Sequence, residues 1–306
     1  MKRVRGGGGG MSQFRDIDLE LPATESGDAD LEHGSIFFVG TATVILEYAG
    51  FTILTDPNFL HSGDHVHLGY GITSRRRTDP AMDIDDLPPI DFVLLSHYHG
   101  DHFDRVAEAK LDKDLPIVTT HHAAAELSEK GFRETHLLET WEVCHIRKGD
   151  ARLTITAMPG RHGPPVVSKG LPPVMGSMLE FRSGDVGPDE PPFVRLYVSG
   201  DTVVYDALEE IPERYPEIDL ALLHLGGTRI LGVLLTMDAE QGAEAVDLID
   251  ADTAIPIHYN DYEVFRSPLS NFKAAVEKAG LEDRVEYLEH GESYEFEPPS
   301  GRDRSG

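Results

Sequence analysis

Apolar residues along this chain fall into short runs closed by Gly, Pro, Asp or Asn, and a few longer amphipathic stretches lie between them. The runs predict strands over 35–39 and 43–48, with Ala49-Gly50 turning the second into a third over 51–55. A Pro/Gly/Asp/Arg-rich stretch over 56–89 then separates this meander from a strand over 91–96. Connections of that length are uncommon in compact domains unless they serve as lids or binding loops. A strand over 115–120 leads into a helix over 121–130 that ends at Gly131, a plausible left-handed terminator. Strands over 142–148 and 151–158 read as a hairpin around Gly149-Asp150. Further strands are expected over 177–182, 193–199, 219–225 and 253–258, with helices over 203–214 and 238–249. Ser267-Pro268 reads as the N-cap and first residue of a last helix. A short segment, 285–287, follows.

These units interleave without a linker. The expectation is an α/β domain of two packed sheets covered by helices over 35–297, behind a flexible segment 1–34 and ahead of a polar tail 298–306. No internal repeat of solenoid length is present.

Composition narrows the class. The 306 residues are 40% hydrophobic and 26% charged, as in a soluble globular protein with an ample core. No run approaches the roughly 18 apolar residues of a membrane span. Residues 1–10 are basic and then all Gly, without the apolar centre of a secretory signal, so a cytoplasmic protein is expected. Met11 could equally be the start, making those ten residues read-through or a tag. The single cysteine, Cys144, fits a reducing compartment and sits in a strand-like alternation that predicts a packed thiol. A formal charge of −27 repels phosphate backbones and argues against a nucleic-acid partner. Acidic, Lys-poor composition is also a pattern of high-salt adaptation.

Chemistry concentrates after the run Phe92-Val93-Leu94-Leu95, in Ser96-His97-Tyr98-His99-Gly100-Asp101-His102. Three imidazoles and a carboxylate at the exit of a buried strand suit zinc, with manganese or iron compatible with the same donors. With His at 15 of 306 residues, fewer than about 0.01 such matches per chain are expected by chance. His162, Asp201 and His258 each follow a short apolar run and precede a chain-breaking residue, where a strand can hold a ligand rigidly. Each is weak alone. His224 ends another such run and is a candidate proton shuttle or hydrogen-bond donor, as well as an ordinary structural His. No Gly-x-Ser-x-Gly elbow and no phosphate-cradling loop followed by Lys is present.

The order of these motifs resembles the metallo-β-lactamase superfamily: His-x-His-x-Asp-His, then His162 before Gly163, Asp201 in Ser-Gly-Asp-Thr, and His258 in Pro-Ile-His-Tyr. The resemblance covers about 35–295 and implies a four-layer αβ/βα sandwich with a dinuclear centre between the sheets. Carried over, His97, His99 and His162 hold one metal ion, Asp101, His102 and His258 the other, and Asp201 bridges. The implied reaction is hydrolysis of an ester, lactone or phosphoester of a small molecule by a metal-bridging hydroxide, with Asp101 fixing the hydroxide.

Thr55-Asp56-Pro57, Leu87-Pro88-Pro89-Ile90-Asp91, Leu225-Gly226-Gly227 and Thr236-Met237-Asp238-Ala239-Glu240 look like the branch of ascorbate-6-phosphate lactonases and N-acylphosphatidylethanolamine phospholipases. Alternatives within the fold are a phosphodiesterase of phospholipase D or tRNA 3′-processing type, and a non-hydrolytic iron-binding redox or sensor protein. Relatives of the last kind carry Glu in the cluster where Gly100 stands.

Candidate substrate contacts are Tyr98 and Tyr259, which flank ligands, and the cations Arg75, Arg161 and Arg229, which would suit an anionic small molecule. Arg75-Arg76-Arg77 could instead pair with neighbouring Asp residues at the surface. His61, His65 and His67 lie in the long loop with no predicted strand to hold them, which favours a substrate-facing lid over a third metal site. His121, His122 and His290 carry no supporting context and read as structural. Assembly into a homo-oligomer stays open.

Overall fold

The structure, a computed structural model, describes residues 16–23, 30–68, 71–184 and 190–299. Two seven-stranded mixed sheets face one another. The first runs Ser293–Phe296, Gly34–Gly40, Thr43–Tyr48, Phe51–Thr55, Phe92–Leu94, Ile117–Thr119, Thr135–Leu137. The second runs Asp16–Leu21, Val143–Lys148, Ala151–Pro159, Met175–Ser183, Val194–Val198, Leu220–His224, Thr253–Ile257. Each half of the chain therefore lends one terminal strand to the other half's sheet.

Period-two alternation explains why the strands read as unbroken apolar runs. Val44, Leu46 and Tyr48 enter the core between the sheets, which also holds Leu153, Ile155, Leu179 and Leu222. Ile45 points the other way, into a cluster with Leu54, Val93 and Leu95 beneath Ala107 of the helix Arg105–Lys110 and Ala123 and Leu127 of His121–Glu129. On the far side, Ala239–Ile249 and Leu269–Ala279 cover the second sheet through Ala243, Val246, Phe272 and Val276. Helix, sheet, sheet, helix is the four-layer sandwich expected. Strands buried on both faces have no polar face to display.

Several local expectations are corrected. The segment expected to be flexible ahead of residue 35 contains the strand Asp16–Leu21, paired in parallel with Val143–Lys148 from Asp16↔Val143 to Leu21↔Lys148. Its Asp-Ile-Asp-Leu-Glu-Leu alternation puts acids on the solvent side of a sheet edge while Leu21 reaches the core, so half its residues look solvated by nature. Residues 1–15 and 24–29, and the tail beyond 299, lie outside the described residues. The helix expected over 203–214 is two short pieces, Asp206–Leu208 and Glu210–Arg214. Ser267 does not cap its own helix; its hydroxyl accepts from the Ala239 N–H at 2.9 Å, at the start of the neighbouring helix. Pro268 takes the cap position instead.

The long connection is not structureless. His65–His67 pairs with Thr73–Arg75 as a small hairpin, giving His65 and His67 the strand that the pattern did not reveal. A hydrogen-bonded chain ties it to the body. Buried Asp104 caps the helix Arg105–Lys110 through Val106 and Ala107, both at 2.8 Å, and its second oxygen accepts from the Phe59 and Leu60 amides.

Candidate metal centre

Strand exits bring the separate motifs together. Phe92–Leu94 hands over to Ser96–His102, Ala151–Pro159 to His162, Val194–Val198 to Asp201 and Thr253–Ile257 to His258. Three backbone strains accompany this arrangement: Asp56, His258 and Asn260 all take left-handed φ, at 34°, 61° and 62°. Gly226 must be glycine, because at φ 103° a Cβ would come within 3.0 Å of the His258 carbonyl oxygen.

The seven predicted ligands fall into two adjoining groups, each able to converge on one ion. His97, His99 and His162 form the first, and Asp101, His102, Asp201 and His258 the second. His97 Nε2 lies 2.9 Å from His99 Nδ1, and the His97 and His162 rings are 4.8 Å apart. His102 Nε2 is 3.3 Å from Asp201 Oδ2, His258 Nδ1 is 3.3 Å from Asp201 Oδ1, and His258 Nε2 is 3.4 Å from Asp101 Oδ2. The groups meet where the His97 and His102 rings stand 4.1 Å apart.

Their electrostatics differ. Burial, reinforced by neighbouring imidazoles, drives the pKa of His97 far down, and burial brings His99 to about 4 and lowers His162. All three are neutral donors at pH 7. In the second group burial works against ionisation, but the charges overcome it. His102 and His258 are pushed up by Asp201, Asp101 and, for His102, Asp56, while Asp101 and Asp201 are held down by the same two imidazoles.

Protein contacts leave this site incomplete. His102 Nε2, His258 Nε2 and Asp201 Oδ1 meet only the ion-pair contacts of 3.3–3.4 Å, none with hydrogen-bond geometry. His99 Nε2, Asp101 Oδ1 and both nitrogens of His162 are buried without a hydrogen-bond partner. Each such atom costs about 1–3 kcal/mol if left unsatisfied. Their convergence, with only N and O donors, fits divalent cations.

One residue of the site was read only as part of a motif. Asp56 is fully buried and accepts from the Ser96 amide at 2.7 Å and the Ser96 hydroxyl at 2.9 Å. Its Oδ2 lies 3.1 Å from His102 Nδ1 and 3.3 Å from His224 Nε2. Burial favours its neutral form, yet the two imidazoles more than offset this and hold it at about 2. By accepting from the Nδ1–H of His102, Asp56 turns Nε2 toward the centre. His224 stands one layer out: Ser199 Oγ is 3.2 Å from its Nδ1 and accepts from its backbone N–H at 2.9 Å. It reaches the centre through Asp56, not directly. Thr55-Asp56-Pro57 was the available signal, but nothing local says which imidazoles it meets.

The candidate substrate contacts scatter. Tyr98 lines a cavity of about 700 Å³ beside His99. Tyr259 is buried and donates to the Leu288 carbonyl at 2.8 Å, a packing role. Arg75 stands exposed on the small hairpin. Arg161 stacks 4.0 Å over Tyr205 and donates to the Gly163 carbonyl; Arg229 pairs with Asp238 at 2.7 Å. None of these four borders that cavity. Arg76 is not a surface cation: it is 1% exposed, donates to Asn58 and Thr78, and packs over Tyr262. His61 pairs with Asp79 and Asp83, and His290 with Asp261. Cys144 is a packed thiol, with burial raising its pKa to about 12.

Comparison with known proteins agrees with this architecture. Residues 51–259 match the family model described as the beta-lactamase superfamily domain. The chain is 28% identical over 261 residues to a UPF0173 metal-dependent hydrolase of Methanopyrus kandleri, covering 85% of this chain and 99% of that one. It is 26% identical to another from Hyperthermus butylicus, over 86% of this chain and 100% of the relative. Among solved structures, the isothiocyanate hydrolase from Delia radicum gut bacteria superposes with a TM-score of 0.71 at 23% identity, covering 86% of this chain and 99% of that one. A metallo hydrolase from Ignicoccus hospitalis gives 0.63 at 24% identity, covering 87% and 99%. With two thirds of its length inside the family model and the sandwich in place, the chain belongs to the metallo-β-lactamase superfamily.

Proposed function

We propose that this protein is a metal-dependent hydrolase that cleaves an ester, lactone or phosphoester of a small molecule at a centre for two divalent cations, Zn²⁺ first among them. His97, His99 and His162 hold one cation; Asp101, His102 and His258 hold the other; Asp201 lies between. The observation carrying this reading is the set of buried, unpartnered His and Asp atoms that converge from four strand exits. Bound cations supply Lewis acidity, which brings a water's pKa toward neutrality and polarises the bond under attack.

The chain's own groups do the rest. Asp101 accepts a proton of the attacking water and aims its lone pair. Asp56 keeps His102 in one tautomer, and His224, hydrogen-bonded between Asp56 and Ser199, exchanges protons with that carboxylate. The named activities of the Methanopyrus and Hyperthermus relatives favour hydrolysis. A buried Cys144, the single cysteine of the chain, suits the cytoplasm.

The same fold also serves a diiron β-hydroxylase of Streptomyces venezuelae, 17% identical over 87% of this chain and 54% of that one with a TM-score of 0.60, so metal identity is the measurement that matters. Protein purified without chelators should carry about two metal ions per chain by elemental analysis and hydrolyse 4-nitrophenyl esters or phosphodiesters. Metal-free protein that resists loading would overturn the reading. Iron with oxygen consumption and no hydrolysis would favour the redox alternative.

A further inference from the structure

The centre is closed on most sides. Of the seven candidate ligands, six are at most 4% exposed, and only His99 reaches a surface. The cavity of about 700 Å³ lies at that surface, bounded by the small hairpin, the metal-binding loop, the first two helices and residues 169–172. Its position depends on Gly100. A Cβ there would fall 2.4 Å from Val66 Cγ2 and 2.8 Å from the His67 carbonyl, so glycine lets the hairpin seat directly on the metal-binding loop.

The lining is apolar below and charged at the rim. Leu60, Val66 and Phe103 are buried in the floor and Tyr98 stands half-buried beside His99. Arg105, Lys130 and Lys169 are exposed at its edge. Arg105 is held by Asp64 at 2.6 Å and Lys130 by Glu108 at 3.3 Å. For Lys169 no ion pair is found among the described residues. Half-buried His122 also lines the cavity, with a buried Nδ1 that has no hydrogen-bond partner. Acids outnumber bases 54 to 27 in the whole chain. In this wall three cations stand against Glu108, Glu126 and Asp104, with Asp64 behind Arg105, so charge is near balance where the whole chain is strongly acidic. Lys169 is the cation without an acid partner among the described residues. On so negative a surface, a charge-balanced wall with Lys169 at its rim is where a small anion meets little repulsion and one cation free among the described residues.

We propose that this cavity is the substrate site, and that it selects small amphiphilic anions: an apolar or aromatic body on Val66, Tyr98 and Phe103, the scissile group at His99, and a carboxylate or phosphate at Lys169 and His122. The proposal rests on the hydrolase reading for the scissile group, but its binding half stands apart.

Two chromogenic esters with one leaving group test it: neutral 4-nitrophenyl butyrate and anionic mono-4-nitrophenyl succinate, with the zinc-loaded full chain. The expected preference in kcat/KM is at least tenfold for the succinate, shrinking with added salt. Lys169→Glu should cut that ratio at least tenfold, and His122→Ala severalfold. Lys278→Glu, the same charge change on the helix Leu269–Ala279, should leave the ratio as it was. Binding of 8-anilinonaphthalene-1-sulfonate, an aromatic anion, should weaken at least fivefold in Lys169→Glu and be competed by mono-4-nitrophenyl succinate. Weakened dye binding with neither ester hydrolysed would keep the cavity assignment and sink the ester-hydrolase reading. Hydrolysis with no preference for the anion, or a ratio and dye affinity indifferent to Lys169→Glu, would overturn the assignment.

Discussion

The two halves of the candidate centre, three imidazoles in one and two imidazoles with two carboxylates in the other, stand under opposite electrostatic regimes. His97, His99 and His162 are crowded by one another and by burial, so their neutral form is favoured before any cation arrives. Asp101, His102, Asp201 and His258 instead neutralise each other as ion pairs 3.3–3.4 Å long. A cation entering the first half displaces almost nothing. One entering the second must replace protons already balancing two carboxylates. The ligand sets are similar in size, but the second is coupled to pH and to the shell behind it.

The sharpest way to break this comparison is to remove the charge the second half is built around. Asp201→Asn should lower metal content by at least one equivalent in elemental analysis. It should cost activity more than the roughly 10–100-fold typical of outer-shell changes. Full metal content would show that the carboxylate is not a ligand. Asp56→Asn acts one step out. Metal affinity of the second half should fall about 10–100-fold in competition with a chelator while the histidine trio still fills. Equal weakening of both halves would erase the distinction.

Proton counting sharpens it further. Calorimetric titration of metal into apo protein at pH 7, in buffers of different ionisation enthalpy, should release protons in the step that fills the second half and almost none in the step that fills the trio. The apo protein's stability should show the same asymmetry. Carboxylates with lowered pKa, as Asp101 and Asp201 have, stabilise above their unfolded range, and that contribution is lost as pH falls through the folded values. Imidazoles with raised pKa, as in His102 and His258, stabilise fully below about 6.5, and that contribution is lost as pH rises through the folded values. The apo melting temperature should therefore decline on the alkaline side, and metal loading should abolish that decline. The smallest effect is expected from Ser199→Ala, which frees His224 Nδ1 and removes one buried hydrogen bond to its backbone, costing about 1–3 kcal/mol in denaturant unfolding with metal content unchanged.

How much of this was legible varied with sequence distance. Four of the seven ligands sit within six residues, and the chain's turn after Phe92–Leu94 is enough to gather them. His162, Asp201 and His258 were recognisable by their place at strand exits and their order. Asp56 was visible as a motif, but its partners His102 and His224 are brought to it by packing between sheets. The substrate contacts were read worst. An Arg looks alike in sequence whether it is buried beneath Tyr262, like Arg76, paired to Asp238, like Arg229, or stacked on Tyr205, like Arg161. Lys169 and His122 had no motif to mark them as lining the cavity that His65 and His67, expected in a substrate-facing lid, also border.

The sequence by itself determined most of the strands, through period-two burial, and the candidate cluster His97, His99, Asp101 and His102, through local spacing. The four layers and the parts assigned to His162, Asp201 and His258 followed from the order of motifs and the family resemblance it carries. Only the tertiary structure decided which imidazole Asp56 orients, that the first strand joins the distant sheet, and that the centre opens at His99 toward a cavity floored by Val66 and Phe103. Those outcomes depend on contacts between residues far apart in the chain, where pairing is chosen by the sum of packing and desolvation across the whole core rather than by any neighbour in sequence.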